Sequence, residues 1–155
     1  MKKLKFQALL CLGLLIGLGL QVQAQQTGKQ TVAMLKESPA GSKIITFVNA
    51  INKGETVTDE LVQSIMSDAL LKKAGMAQLK NMMENDIPEN DGKLTVYKVE
   101  RVEMRKFELY ALGSKSNEWV KMDFTIMDGR PYKIRGIGVD IVDKPGDVGE
   151  PMKFD

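Results

Sequence analysis

Two side chains are missing from the working part of this chain. It has no histidine, and its single cysteine, Cys11, lies inside an apolar run near the start. If that run is removed on export, nothing remains for disulfides, thiol nucleophiles, imidazole bases or the common zinc sites. The remaining chemistry must come from carboxylates, lysines, hydroxyls and backbone.

The head has the layout of an export signal. Met1-Lys2-Lys3-Leu4-Lys5 is basic, Ala8 to Leu20 is almost wholly apolar, and Val22-Gln23-Ala24 places small residues at a cleavage position. A membrane anchor would need about 20 apolar residues, and this run ends sooner, at the polar stretch 21–26. Leu9-Leu10 before Cys11 also lack the small residue that a lipoprotein signal requires. The sequence therefore predicts cleavage after residue 24, a mature start at Gln25, a periplasmic or secreted product and no lasting membrane anchor. Loss of Lys2, Lys3 and Lys5 takes the full-chain charge of +2 to −1. That balance offers nothing to nucleic acid or an anionic membrane. The 131 residues left are enough for one core without covalent staples.

Along the mature chain, residues 25–41 are polar and contain Ser38-Pro39 and Gly41, predicting a partly ordered leader. From Ser42 the spacing turns helical: Ile44, Phe47, Val48 and Ile51 share one face and Gly54 stops it. Thr58 is suited to cap a second helix carrying Leu61, Val62, Ile65 and Met66, with Val57 stapled onto Val62. A short helix through Leu70 and Leu71 ends at Gly75, and another, Met76 to Asn85, is expected to stop before Pro88. Past Asn90-Asp91-Gly92 the period becomes two. Strands are expected at Leu94–Glu103, Lys106–Leu112, Glu118–Met127 and Tyr132–Val142, the first two with a bend or bulge where their apolar parity shifts. Residues 144–155 read as a loose tail. The expected class is α+β: N-terminal helices on one face of a curved four-stranded antiparallel sheet, as in a cone or cystatin-like roll, spanning residues 42–143.

Parity also suggests a register for the last hairpin. A two-residue loop at Asp128-Gly129 would set Phe124 against Lys133. A three-residue loop, Met127 to Gly129, sets Phe124 against Tyr132 and Met122 against Ile134. The second predicts Gly136 and Gly138 on the inner face, and on the outer face Asp123 across from Lys133 and Trp119 across from Ile137.

The segment Phe47-Val48-Asn49-Ala50-Ile51-Asn52-Lys53-Gly54-Glu55, the strand Trp119-Val120-Lys121-Met122 and the ending Pro131 to Val139 resemble small nuclear transport factor 2-like domains. The likeness is to those preceding secreted bacterial serine hydrolases. It covers roughly Ser42 to Val142 and includes no catalytic motif. It implies a curved sheet wrapped around helices, often with a pocket. The candidate pocket lining is Phe47, Met122, Phe124, Tyr132, Ile134, Gly136 and Gly138.

Each chemical motif has a plainer rival. Gly136-Ile137-Gly138 lies within a strand and lacks the third glycine and the helix of a dinucleotide site. Thr95-Val96-Tyr97-Lys98 has no companion for penicillin-type acylation. Asp123 or Glu118 with Tyr97, Tyr110 or Tyr132 could act as base and oxyanion donor, but outward carboxylates on strands are more often solvated or paired. Met66, Met76, Met82 and Met83 fall at helical spacing among leucines and read as core filling. Trp119, Ile137 and Val139 form the candidate interaction face, for a protein partner or a homodimer through the sheet, unless leader or tail covers them. The leading expectation is an exported, non-catalytic binding or interaction module without a cofactor, its small ligand or protein partner undetermined. The alternative is a small isomerase- or cyclase-like enzyme using a carboxylate and a tyrosine in the pocket.

Overall fold

The computed structural model describes residues 28–154. The expected signal and cleavage site lie outside the described residues. Among the described residues no helix is long and apolar enough to cross a membrane.

The architecture is α+β, with helices packed on one face of an open antiparallel sheet. The elements run β1 (Gly28–Lys29), α1 (Val32–Glu37), α2 (Pro39–Lys53), α3 (Asp59–Ile65), α4 (Asp68–Ala74), α5 (Met76–Asn81), a π-helical turn (Met82–Asp86) and α6 (Ile87–Asp91). The meander β2 (Leu94–Glu103), β3 (Lys106–Gly113), β4 (Trp119–Ile126) and β5 (Ile134–Val142) follows in spatial order, with β1 added beside β2.

Residues 28–41, expected as a partly ordered leader, are folded. Thr31 caps α1, and Ser38 caps α2 by accepting from the Gly41 N–H, with Pro39 at the start of the helix where its missing N–H costs nothing. Helix α2 thus begins three residues before the expected Ser42. Leu35 of α1 is fully buried, and a Cβ on Gly41 would lie 2.4 Å from the Leu35 carbonyl oxygen. Glycine here permits the close crossing of α1 and α2.

Thr58 caps α3 as its sequence predicts, and Val57 and Val62 are both buried. The helix from Met76 does not stop before Pro88. It widens into the π turn, where the Ile87 N–H reaches back to Met82, and carries on to Asp91 with Pro88 in the first turn of α6. Proline clashes with the carbonyl four residues earlier in a regular helix, and a wider turn displaces that carbonyl. Met66 and Met83 are buried, and Met76 and Met82 pack against the core.

In the sheet, β2 has register shifts at Val96/Lys98 and Arg101/Glu103, whereas β3 pairs with β4 without a break. The expected bend is therefore in β2 alone. The apolar residues of β3 at the wrong parity, Tyr110 and Leu112, lie on the outer face. The tail beyond Lys144 also has a place: the Met152 N–H donates to the Val96 carbonyl at 2.7 Å, Asn49 of α2 donates to the Phe154 carbonyl, and the Phe154 side chain is buried.

The last hairpin differs most from expectation. Its loop is longer: the Met127 N–H bonds to the Lys133 carbonyl, enclosing a cis Arg130–Pro131 bond, Gly129 with positive φ and Tyr132 at φ 56°. Ile126 pairs with Ile134, and then Thr125 pairs with Gly136, so one extra residue enters β5 at Arg135. A single inserted residue reverses which face every later side chain takes. Gly136 and Gly138 consequently lie on the outer face opposite Thr125 and Asp123. Ile137, Val139 and Ile141 lie on the inner face opposite Phe124, Met122 and Val120, and Trp119 faces Val142.

Candidate functional site

The sheet offers two surfaces with different chemistry. On the inner face, Phe47 of α2 meets Phe124 edge-on with ring centroids 5.5 Å apart, and Met122 and Ile134 are fully buried beside them. Four of the expected pocket-lining residues, Phe47, Met122, Phe124 and Ile134, are thus packed core. Tyr132 sits half-buried in the β4–β5 loop, and Gly136 and Gly138 lie on the opposite face. The seven residues do not enclose a common hollow. The clefts at Thr46–Leu61 and Asn117–Lys144 are lined by other side chains.

The expected interaction face is also divided. Ile137 and Val139 lie on the helix-bearing face of the sheet, Ile137 against the core and Val139 open to water, while Trp119 lies on the opposite face. Trp119 instead centres an apolar cluster that sequence reasoning did not assemble. It packs on Tyr97 with centroids 5.1 Å apart, and its neighbours across the ladder are Leu112 on β3 and Val142 on β5. All four side chains are half-buried. Leu112 was the available signal: an apolar residue at the outward parity of β3, directly opposite Trp119.

Beside this cluster runs a charged ladder. Lys98, Tyr110, Lys121 and Asp140 form one cross-strand row, and Glu100, Glu108, Asp123 and Gly138 form the next. Lys98, the most buried of these charges, meets Glu100 at 3.0 Å, with its ammonium 5.5 Å from the Tyr110 ring centre. The Tyr110 hydroxyl donates to Glu108 Oε2 at 2.6 Å, and Lys121 lies 3.2 Å from Asp123 and 3.8 Å from Glu108. Burial, with the Glu108 carboxylate as acceptor, pushes the Tyr110 hydroxyl pKa well above its ordinary value. The hydrogen bond to Asp123 raises that of Lys121. A tyrosine and a carboxylate are therefore adjacent, but on an open face and bonded to one another. Tyr97 packs at a tilt against Trp119, Glu118 is exposed, and Asp123 is held by Lys121. The expected base and oxyanion donor do not converge in a cavity.

Among the described residues, no cluster of three or more acidic side chains is placed to hold a metal ion. No family model, curated protein or solved structure matches the chain.

Proposed function

We propose that this is an exported, non-catalytic interaction module that engages a protein partner through the outer face of its sheet. The observation that carries the reading is the half-buried cluster of Tyr97, Leu112, Trp119 and Val142 with the Lys98–Glu100 and Lys121–Asp123 pairs alongside. An apolar centre with large aromatic rings, bordered by paired charges, is how contact surfaces divide labour between affinity and orientation. The apolar packing of the inner face and the mutual bonding of Tyr110 and Glu108 favour this over the isomerase-like alternative, which needs an ionisable group free to meet substrate in a cavity. Export rests on the basic head, the apolar run and the small residues before Gln25. The resemblance to nuclear transport factor 2-like domains is in keeping with the helices-then-sheet order.

A photoactivatable residue at Glu118, carried by the exported protein in its native envelope, is expected to trap a partner. Trp119→Ala should remove that product while leaving circular dichroism unchanged. Trapping that is indifferent to Trp119, or no trapping at all, overturns the reading. N-terminal sequencing of the envelope protein tests export separately, the expected first residue being Gln25.

A further inference from the structure

The two edges of the sheet are finished differently. Along β2, β1 pairs at Glu100 and Arg101, the Gln30 N–H donates to the Val99 carbonyl and Met152 donates to Val96. Along β5, Met66 forms an isolated parallel bridge with Ile134, whose carbonyl accepts from the Ser67 N–H at 2.8 Å, and beyond that bridge no backbone bond to this edge is formed among the described residues.

The direction of the β5 peptide groups follows from the ladder. The Ile126 N–H donates to Arg105 on the β3 side. Peptide groups alternate along a strand, so Thr125, Asp123, Lys121 and Trp119 turn theirs toward β5, where they meet Gly136, Gly138, Asp140 and Val142. Ile137, Val139 and Ile141 must then direct their N–H and C=O groups outward. The side chains of Val139 and Ile141 are 41% and 67% exposed, two of the four large apolar residues most open to water among the described residues. Exposed backbone and exposed apolar side chains coincide on the same residues. Such an edge is a template for another strand.

We propose that the occupant is a second copy of this chain, its β5 running antiparallel to the first about a two-fold axis at Val139. Outward-directed residues then meet outward-directed residues: Val139 faces its counterpart and Ile137 faces Ile141, so the apolar side chains line one face. Arg135, the inserted residue, and Asp143, just past the strand end, come alongside each other at both ends, and Asp140 lies opposite Gly138, whose bare backbone leaves it room. Neighbouring registers are worse. Sliding two residues one way sets Asp140 against Asp140; sliding the other way sets Ile141 against Arg135. The described ends of the chain lie elsewhere. Phe154 is bonded to Asn49, and β1 joins the sheet four strand spacings from β5, about 19 Å away.

Sedimentation of the exported protein over a range of concentrations should show monomer and dimer in exchange. Val139→Pro removes the central outward N–H at an edge position that tolerates proline, and should abolish the dimer with circular dichroism retained. Arg135→Asp and Asp143→Arg should each weaken the dimer at least several-fold, and the two together should restore it, a readout that holds even if the proline variant fails to fold. A wild type that stays monomeric at millimolar concentration, or a double variant that regains nothing, overturns the proposal. So does a dimer that survives Val139→Pro but is lost in Trp119→Ala, an outcome that would place self-association on the outer face.

Discussion

Strand β4 carries two surfaces on one backbone. Val120, Met122, Phe124 and Ile126 are buried under the helices, while Trp119, Lys121, Asp123 and Thr125, one residue out of step, stay partly in water. The inner set, with Phe124 edge-on to Phe47 of α2, contributes through area removed from water. The outer set is held by specific pairs, Trp119 to Tyr97 and Lys121 to Asp123, which fix geometry while contributing modestly to stability. One face secures the fold, and the other stays partly open to water.

The largest expected effect tests that division directly. Phe124→Ala removes a fully buried ring packed edge-on against Phe47, and should cost about 3–5 kcal/mol in denaturant titration. Thr125→Ala, its neighbour on the outer face, should change stability by less than about 0.5 kcal/mol. Comparable losses from both would mean that the outer face is also core.

Next comes the tail. Phe154 is buried and its carbonyl accepts from Asn49 of α2, so the last residues help to close the inner layer. Phe154→Ala should lower stability by about 3 kcal/mol in the same titration. An unchanged midpoint would return this segment to the loose tail that its composition suggests.

That contrast shows where the sequence was legible. The faces of β4, the caps at Thr58 and Gly54 and the helices-then-sheet order depend on local spacing, and the structure has all of them. Ser38-Pro39 can break a helix or begin one. It does the second here, because Leu35 of α1 gives α2 something to pack on. Phe154 sits between Lys153 and Asp155, and its burial depends on α2 and β2, which lie far from it in sequence. The apolar parity of β5 changes between Ile134 and Ile137, the same kind of sign that marks the bulge in β2. Treating β5 as regular misassigned a face to every residue after Arg135, and with it the candidate pocket and interaction face. The cluster around Trp119 was illegible because it joins three strands and depends on that register.

A smaller effect is expected from alkali, and it should arise on the outer face. The Tyr110 pKa is raised by burial and by Glu108, so above about pH 10 the unfolded chain gives up a proton that the folded chain keeps. Stability therefore falls as pH rises through that range. Lys121 acts with the same sign: its contribution is fully present below about pH 10.4 and is lost as pH rises through its raised folded value. Comparing urea midpoints at about pH 8 and about pH 11 should show the decline, and Tyr110→Phe should make it shallower. An unchanged slope in that variant would remove Tyr110 as a source.

The smallest effect is expected at the outer-face glycines, and it bears most directly on what that face is for. A Cβ on Gly138 would lie 3.6 Å from the Asp123 Cβ, and one on Gly136 would lie 3.6 Å from Thr125, both ordinary contacts, and neither glycine has positive φ. Replacing either with alanine therefore creates no clash and no backbone strain. It also reduces the freedom of the unfolded chain, which favours folding by a few tenths of a kcal/mol. Gly138→Ala should accordingly leave protomer stability within about 0.5 kcal/mol of wild type, or raise it slightly. The inner-face register first expected for these residues predicts something else, since an added methyl would then press on the packed layer around Phe47 and cost about 1–3 kcal/mol. A loss of that size, measured at a concentration low enough to keep the protein monomeric, would reverse the assignment of the two faces of β5. A neutral result combined with weaker association would instead mean that the bare strip beside Asp123 is there to receive what lies opposite it.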